Sequence, residues 1–401
     1  MEIMRAKLMS LSVYKKILET EPVQALLHLT QAKTADGLIQ CYTDLVYSVW
    51  NAGFSTLPEG IAWHLKYDES FIGNAIASGT APDYMKDAAA MDIRRLSSVS
   101  MLSCAGLKRN IAAACSRLGE EFASIIQNLA ELPMGESFDE EDIFESYRKN
   151  GCGQFALGRA FHWEKGQLSQ VKHSDPIDQD DMIGYEFQRN AVVENTRVLL
   201  SGKPTNNVLL YGDAGTGKSS TVKAIANEFA PDGLRLIEVK KNQLYQIPAL
   251  MDELAKNPLK FILFIDDLSF SANDDNFAAL KAILEGSVGG RSHNVAVYAT
   301  SNRRHLVKES MSDRSGDDLH AADTRQELMS LAARFGLTVT FQQPDKDRYD
   351  TILLELAKQY GVQMPSDQLF IKGQAFALRA GGRSPRVAKQ FVELLAAGVK
   401  V

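Results

Sequence analysis

Residues 207–220 read NVLLYGDAGTGKSS, and this stretch decides the fold of the region around it. Its later part matches G-x-x-x-x-G-K-[ST], in which glycines allow positive φ and let backbone N–H groups approach a phosphate. An apolar run, Asn207–Tyr211, precedes the motif, and a helical pattern, Ser219–Phe229, follows it. This is the strand–loop–helix context that the motif requires. We therefore predict a phosphate-binding loop at Gly212–Ser219, where a helix N-terminus adds attraction for anions.

The loop predicts ATP and Mg²⁺ as cofactors. Lys218 is expected to reach the β and γ phosphates, and the Ser219 hydroxyl is expected to hold Mg²⁺. The candidate cofactor-binding residues of the loop are Gly212, Asp213, Ala214, Gly215, Thr216, Gly217, Lys218, Ser219 and Ser220.

A second candidate element is the apolar run Phe261–Ile265, which is followed directly by Asp266 and Asp267. A carboxylate at the carboxyl end of such a strand faces the crevice where ligands bind in parallel sheets. Asp266 is the candidate Mg²⁺ ligand beside Ser219, directly or through water. Asp267 is the candidate group that orients or deprotonates the attacking water.

From Met182 onward, apolar strands alternate with helical patterns, which predicts a parallel sheet flanked by helices. Runs such as FILFI are almost wholly apolar, as expected for strands covered on both faces. After Pro344 the pattern is helical again. The expected strands are Asn207–Tyr211, Leu234–Val239, Phe261–Asp266, Val295–Thr300 and Leu337–Phe341.

The region before residue 150 is predicted to be helical throughout. For example, the apolar residues between Leu8 and Leu18 recur at helical spacing. Residues 151–172 are richer in Gly and aromatic side chains and are expected to contribute a strand pair, followed by a polar linker. The predicted domains are a helical N-terminal domain, 1–150; a β-like segment and linker, 151–181; an αβ core, 182–343; and a helical lid, 344–401.

Composition narrows the class of protein. The chain has 401 residues and a net charge of −6, so no global field attracts nucleic acid. Its four cysteines form no CxxC pair, which argues against a zinc site or a disulfide framework. No apolar stretch is long enough to span a bilayer, and the N-terminus lacks the features of a signal peptide. We expect a cytoplasmic protein.

Beyond the loop, the sequence resembles the AAA+ ATPases over about Met182–Val401. Ile183 and Gly184 match the segment that borders adenine in that family, and Asn302 matches the polar sensor at the end of a strand. The stretches YGDAGTGKSS, IDDLSF and SLAARFG are also similar to a bacterial P-loop family known only as a domain of unknown function. Members of that family also carry a helical N-terminal part.

The resemblance implies two further functional arginines. Arg334, with Arg325 as the alternative, corresponds to the arginine finger that reaches a neighbouring subunit's γ-phosphate. Arg386, with Arg383 as the alternative, corresponds to the second sensor in the lid. The sequence departs from the family at Ala333, where an Asp is expected, and at Asp267, where Glu is more common.

Four hypotheses follow from these patterns. The first is an ATPase that hydrolyses ATP, assembles as a homo-oligomeric ring and remodels a protein partner selected by the helical N-terminal region. The second is a slow nucleotide switch, suggested by Asp267. The third is a DNA-associated loader, suggested by the Asp266–Asp267 pair. The net negative charge of the chain disfavours it. Residues 303–305 are the one compact basic stretch after the sensor strand. A small-molecule kinase is the fourth.

Overall fold

The computed structural model describes residues 1–172, 177, 182–268, 275–285, 293–302 and 333–399. Their contacts divide the chain into two compact units, Met1–Leu157 and Gly158–Val401. The domain boundaries expected near residues 150, 181 and 343 stay predictions. Within the described ranges, no helix combines the length and apolarity needed to cross a membrane.

All regular secondary structure described in the first unit is helical, as its periodicity predicts. Most of its helices place one apolar face in a shared core that includes Leu26, Val49, Ile61 and Ile93. Its helices are α1 (Glu2–Met9), α2 (Glu21–Gln31), α3 (Ala35–Asn51), α4 (Leu57–Tyr67), α5 (Phe71–Ala77), α6 (Asp83–Ser100), α7 (Cys104–Ala114), α8 (Glu120–Gln127), α9 (Glu140–Asn150) and α10 (Gln154–Leu157).

The start of this unit differs from the expected helical spacing. Helix α1 stops at Met9, and a 3₁₀ turn, Lys15–Glu19, follows after a break. The cause is Asp92 on α6, whose fully buried carboxylate accepts hydrogen bonds from the backbone N–H of Ser12 at 2.8 Å and Val13 at 2.7 Å. A buried carboxylate needs such donors, and these N–H groups are then not available to a continuous helix.

The second unit is built on a seven-stranded sheet in the order β2-β1-β4-β5-β6-β3-β7. Strands β1 and β2 pair antiparallel, and the other neighbours pair parallel. The strands are β1 (Ala160–Glu164), β2 (Gln167–Gln170), β3 (Val208–Gly212), β4 (Leu234–Val239), β5 (Lys260–Ile265), β6 (Val295–Ser301) and β7 (Leu337–Phe341). The helices among them are α11 (Glu186–Leu200), α12 (Lys218–Glu228), α13 (Ile247–Leu254) and α14 (Asp275–Glu285).

The register of the sheet positions the site. Strand β3 lies between β6 and β7, and Tyr211 pairs with Ser301 and with Thr340. Strand β5 lies on the other side of β6, where Ile265 pairs with Ala299. Because these strands are parallel, the residues that follow β3, β5 and β6 meet at one edge of the sheet.

The chain ends in three helices that form a small separate core: α15 (Lys346–Gln359), α16 (Ser366–Arg379) and α17 (Pro385–Ala396). Tyr349, Leu353 and Phe391 are buried in it, and Ile183 packs against it from outside. The expected fold class is confirmed in its architecture: a largely parallel sheet flanked by helices, a small helical C-terminal lid and a helical N-terminal region.

Candidate nucleotide site

The phosphate loop lies between β3 and α12, as its sequence predicts. Gly212, Gly215 and Gly217 have φ of 135°, 75° and 91°, in the region that favours glycine. Gly217 is the N-cap of α12. Because glycine has no side chain, no N-cap side chain accepts a hydrogen bond from the first N–H groups of the helix. Helix N-termini leave these N–H groups without intrahelical partners, so the loop presents donors and a positive dipole end to an anion.

Lys218 occupies the position from which a cation can reach bound phosphates. Its side chain is buried, and Nζ donates to the carbonyl oxygens of Gly212 at 3.0 Å and Asp213 at 2.7 Å. Burial lowers the pKa of Lys218, and the nearby carboxylates of Asp213, Asp267 and Asp266 partly oppose that shift. The ammonium is therefore desolvated and held by weak neutral acceptors, which an anion would replace favourably.

Asp266 gathers three donors on one carboxylate oxygen. Its Oδ1 accepts from Ser219 Oγ at 2.6 Å, Thr300 Oγ1 at 2.5 Å and the backbone N–H of Asp267 at 3.1 Å. These bonds fix the carboxylate beside the helix N-terminus that carries Lys218. A hydroxyl and a carboxylate at this separation are hard oxygen ligands of the kind that Mg²⁺ prefers. The residues therefore fit a magnesium ion at Ser219 and Asp266.

Asp267 stands in a strained conformation next to it. Its φ is 50°, which is rare for a residue with a side chain. Its N–H donates to Thr300 Oγ1 at 2.9 Å as well as to Asp266 Oδ1, and its own Oδ1 accepts from Asn302 Nδ2 at 2.8 Å. Non-glycine residues in this region cost energy and persist where surrounding contacts enforce them, often at functional sites.

These groups line one cavity of about 550 Å³, a size typical of ligand pockets. The loop and the two aspartates form its polar part, and apolar side chains from the lid and from the segment before α11 form another part. The lining residues are Ile177, Met182, Ile183, Gly184, Tyr185, Ala214, Gly215, Thr216, Gly217, Lys218, Ser219, Ser220, Asp266, Asp267, Thr300, Asn302, Phe341, Ile352, Leu356, Pro385, Arg386 and Lys389.

The lid contributes charged residues through the first turns of α17. Arg386 lines the cavity, and its backbone N–H donates to the Gly215 carbonyl at 3.2 Å. A Cβ built on Gly215 would lie only 2.9 Å from Ser384 Oγ, so this glycine allows a close approach of lid and loop. Arg383, the alternative second sensor, instead donates through Nε to Gln374 at 2.8 Å within the lid.

Arg334 is not brought to this cavity. It lies just before β7, whose first residue, Leu337, pairs with Val208 at the start of β3. The phosphate loop begins at the other end of β3, about 13 Å away at about 3.3 Å per residue. Arg325, its alternative, and the basic residues 303–305 lie outside the described residues.

Most of the predicted site residues therefore meet, and three do not line the cavity: Gly212, Asp213 and Arg334. Sequence reasoning assigned no role to Thr300, although it lies two residues before the predicted sensor Asn302. It also missed Lys389, which lies one helical turn after Arg386, the spacing that could have revealed it. Ile352 and Leu356 carry no local signal, because an apolar i, i+4 pair on a helix normally indicates core.

Two solved structures illustrate what this chain is similar to. The Thermotoga maritima RuvB Holliday junction branch migration motor is 17% identical, with a TM-score of 0.36; the match covers 56% of this chain and 67% of that one. The FIGL-1 AAA domain in complex with ADP is 16% identical, with a TM-score of 0.38, and the match covers 56% and 74%.

The family comparison is more specific. The model of the DUF815 family, described as a protein of unknown function, matches residues 157–399, which is more than half of the chain. The match spans both strands of the β1–β2 hairpin, the phosphate loop, the acidic pair and the lid. It confirms the resemblance to a family known only as a domain of unknown function. The chain belongs to the DUF815 family.

Proposed function

We propose that this protein binds ATP with Mg²⁺ at the loop Gly212–Ser219 and hydrolyses it. The observation that carries the proposal is the meeting of Lys218, Ser219 and Asp266 at one helix N-terminus inside a ligand-sized cavity. Each group matches a need of bound triphosphate: donors for its oxygens, a cation for its charge, and oxygen ligands for its metal.

On binding, Lys218 would exchange its two loop carbonyls for the β and γ phosphates. Ser219 and Asp266 would hold Mg²⁺, which would supply positive charge to neutralise the charge that develops on the phosphates. The apolar side chains of Ile183, Ile352 and Leu356 supply a surface suited to a purine ring, next to Gly184.

For hydrolysis, Asp267 is the proposed group that orients the water or accepts its proton. Asn302 holds that carboxylate in place through the 2.8 Å hydrogen bond, and Asn302 also lines the cavity. Arg386 would contact the phosphates from the lid. These roles together require the lid and the sheet edge to face the same ligand.

A homo-oligomer is part of the proposal. Arg334 precedes β7 and lies near the amino ends of β3 and β7, whereas the phosphate loop follows the carboxyl end of β3. A finger role therefore requires a second copy. The proposed use of the energy is the remodelling of a protein partner selected by the helical first unit. Nucleic acid is not the proposed partner, because the chain is acidic overall.

A slow nucleotide switch is the second candidate, and a specific contact favours it. One Asp267 oxygen already accepts from Asn302, and Asp is one methylene shorter than Glu, so its reach toward a water is short. This version would bind ATP at the same residues and turn over slowly.

Single-turnover phosphate release separates the two candidates. Phosphate release is measured with protein in excess over labelled ATP and with Mg²⁺, for the wild type and for the Asp267→Asn and Asp266→Asn variants. Fast release that falls at least about 10²-fold in Asp267→Asn supports catalysis by this acid. Tight binding with release no faster than in the variant supports the switch. Wild-type protein that neither binds nor hydrolyses ATP contradicts both.

A further inference from the structure

The segment that joins the sheet to the lid is short. Strand β7 ends at Phe341, and α15 begins at Lys346 with the Asp345 side chain accepting from the Arg348 N–H at 2.9 Å. Any change in lid angle must therefore be absorbed by the few residues between Gln342 and Asp345, of which Pro344 has a fixed φ.

One peptide group in this hinge has both of its polar atoms held by the nucleotide site. The Gln342 carbonyl accepts from the Tyr185 hydroxyl at 2.5 Å. The N–H of the same peptide, on Gln343, donates to Asp213 Oδ2 at 2.7 Å. We call Tyr185, Asp213 and this Gln342–Gln343 peptide the hinge clamp.

Asp213 is a loop residue that faces the hinge. It is absent from the cavity lining, yet its backbone N–H donates to the Phe341 carbonyl at 2.9 Å and its carboxylate binds Gln343. Its carbonyl accepts from Lys218 Nζ at 2.7 Å and from Thr216 Oγ1 at 2.8 Å. Asp213 thus contacts both the phosphate-binding lysine and the lid connection.

Tyr185 closes the clamp from the other wall of the cavity. Its backbone φ is 63°, its ring is stacked on Phe341 with centroids 5.3 Å apart, and Arg348 of the first lid helix lies 4.9 Å over the ring. Burial raises the pKa of Tyr185 to about 12, so the hydroxyl stays a neutral donor at physiological pH.

The Gln343 side chain lies close to the lid. Gly382, at the start of the segment that carries Arg386, has a φ of 139°, and a Cβ built on it would lie 3.1 Å from Gln343 Nε2. The hinge residue therefore bonds to the phosphate loop through its backbone, and its side chain lies beside the arginine-bearing segment.

We propose that Asp213 and Tyr185 are positioning residues that clamp the hinge peptide and set the lid angle at which Arg386 faces the phosphates. The inference rests on the proposed function for its consequence in catalysis, but the clamp is a property of the protein alone. When phosphate draws Lys218 away from the Asp213 carbonyl, the loop residue that holds Gln343 loses one of its contacts. Occupancy of the loop is in this way coupled to the hinge.

The first test uses hydrogen exchange of the Gln343 amide, measured by NMR on the full chain without nucleotide. Asp213→Ala removes the acceptor and Tyr185→Phe removes only the hydroxyl; each is expected to speed exchange at Gln343 about tenfold or more. Asp213→Asn keeps an acceptor oxygen and should stay close to wild type. Tyr360→Phe is the matched control, because it removes a lid hydroxyl bonded to Glu393, away from the hinge.

The second test is kinetic and separates positioning from binding. Asp213→Ala and Tyr185→Phe should each lower kcat roughly tenfold while KM for ATP changes by less than about twofold. The double variant should be no slower than the worse single one, because both act on one peptide.

Unchanged exchange at Gln343 in both variants, with melting temperatures equal to wild type, overturns the clamp. A KM effect as large as the kcat effect overturns the positioning role and makes these residues ligand contacts. If the wild-type protein shows no ATPase activity, the proposed function fails, and the exchange experiment still decides the clamp.

Discussion

At the scale of single residues, a few atoms of the site each make several hydrogen bonds. Asp266 Oδ1 receives three hydrogen bonds, and Thr300 Oγ1 both donates to Asp266 and accepts from Asp267. One threonine hydroxyl therefore orients both acids of the pair. Its position at the end of β6 makes this possible, because Ile265 pairs there with Ala299.

Replacing Thr300 tests this arrangement. Thr300→Val keeps the shape and removes the hydroxyl, so Asp266 and Asp267 lose a shared partner. We expect the Mg²⁺ concentration for half-maximal activity to rise about tenfold. Thr300→Ser keeps the hydroxyl and should restore most of the wild-type value. Equal behaviour of the Val and Ser variants in a Mg²⁺ titration would show that the hydroxyl has no such role.

The lowered pKa of Lys218 predicts the pH dependence of ATP binding. Burial disfavours the ammonium in the free protein, so Lys218 begins to lose its proton below its ordinary value of 10.5. The neutral amine attracts phosphates less, so affinity should fall as pH rises through that lowered pKa. ATP titrations between pH 7 and 10 check this, and Lys218→Ala should lack the dependence. An affinity that is flat over this range in the wild type would be the contrary result.

At the scale of elements, the phosphate loop is predictable because its signals are local. An apolar strand, glycines at fixed spacing and a following helix are all contiguous in the sequence. The same holds for β5 with its terminal acids. The place of the β1–β2 hairpin beside β4 is not local, because strand order depends on long-range pairing. The break after α1 depends on Asp92, some eighty residues away. The apolar periodicity of the first twenty residues therefore does not predict the break.

Contact between elements makes Gly212 irreplaceable. A Cβ there would lie 2.0 Å from the Phe341 carbonyl oxygen, across the β3–β7 pair, at a φ of 135°. Gly212→Ala should destabilise the second unit by roughly 3 kcal/mol or more, through strain and separation of the strands. Native-state hydrogen exchange of β3 amides measures this value.

Gly361→Ala is the matched control for that substitution. This glycine also has a positive φ, 67°, but a Cβ on it would meet nothing within 4 Å. We expect a loss of only about 1 kcal/mol, from backbone conformation alone. Similar losses at the two glycines would show that the contact with Phe341 costs nothing.

At the scale of the whole molecule, the proposed ATPase requires more than one copy. Alone, Arg334→Ala should lower kcat about 10³-fold, as expected when a finger is removed, without weakening ATP binding. Lys218→Ala should also be inactive, because it lacks the ammonium group proposed to contact the phosphates. Mixing the two variants should restore activity, because an intact loop then meets an intact finger. Arg197→Ala, which removes an exposed ion pair with Glu194, is the control and should behave as wild type.

Recovered activity in the mixture requires the two chains to assemble. An Arg334→Ala variant with full activity, or activity per chain that does not depend on protein concentration, would contradict the trans role. The Arg334 position also shows what sequence alone leaves open: the motif places it before β7, and only the register of β3 and β7 places it far from its own loop.

The most direct measurement of the central claim is an ATP titration of the full chain with and without Mg²⁺, in wild type, Lys218→Ala and Lys203→Ala. Lys203 is an exposed lysine of the same unit that does not line the cavity. We predict saturable binding in wild type and Lys203→Ala that strengthens with Mg²⁺, and a loss of roughly 10- to 100-fold in affinity in Lys218→Ala. Wild-type protein without saturable ATP binding, or Lys218→Ala binding as tightly as Lys203→Ala, would contradict the assignment of the loop as an ATP site.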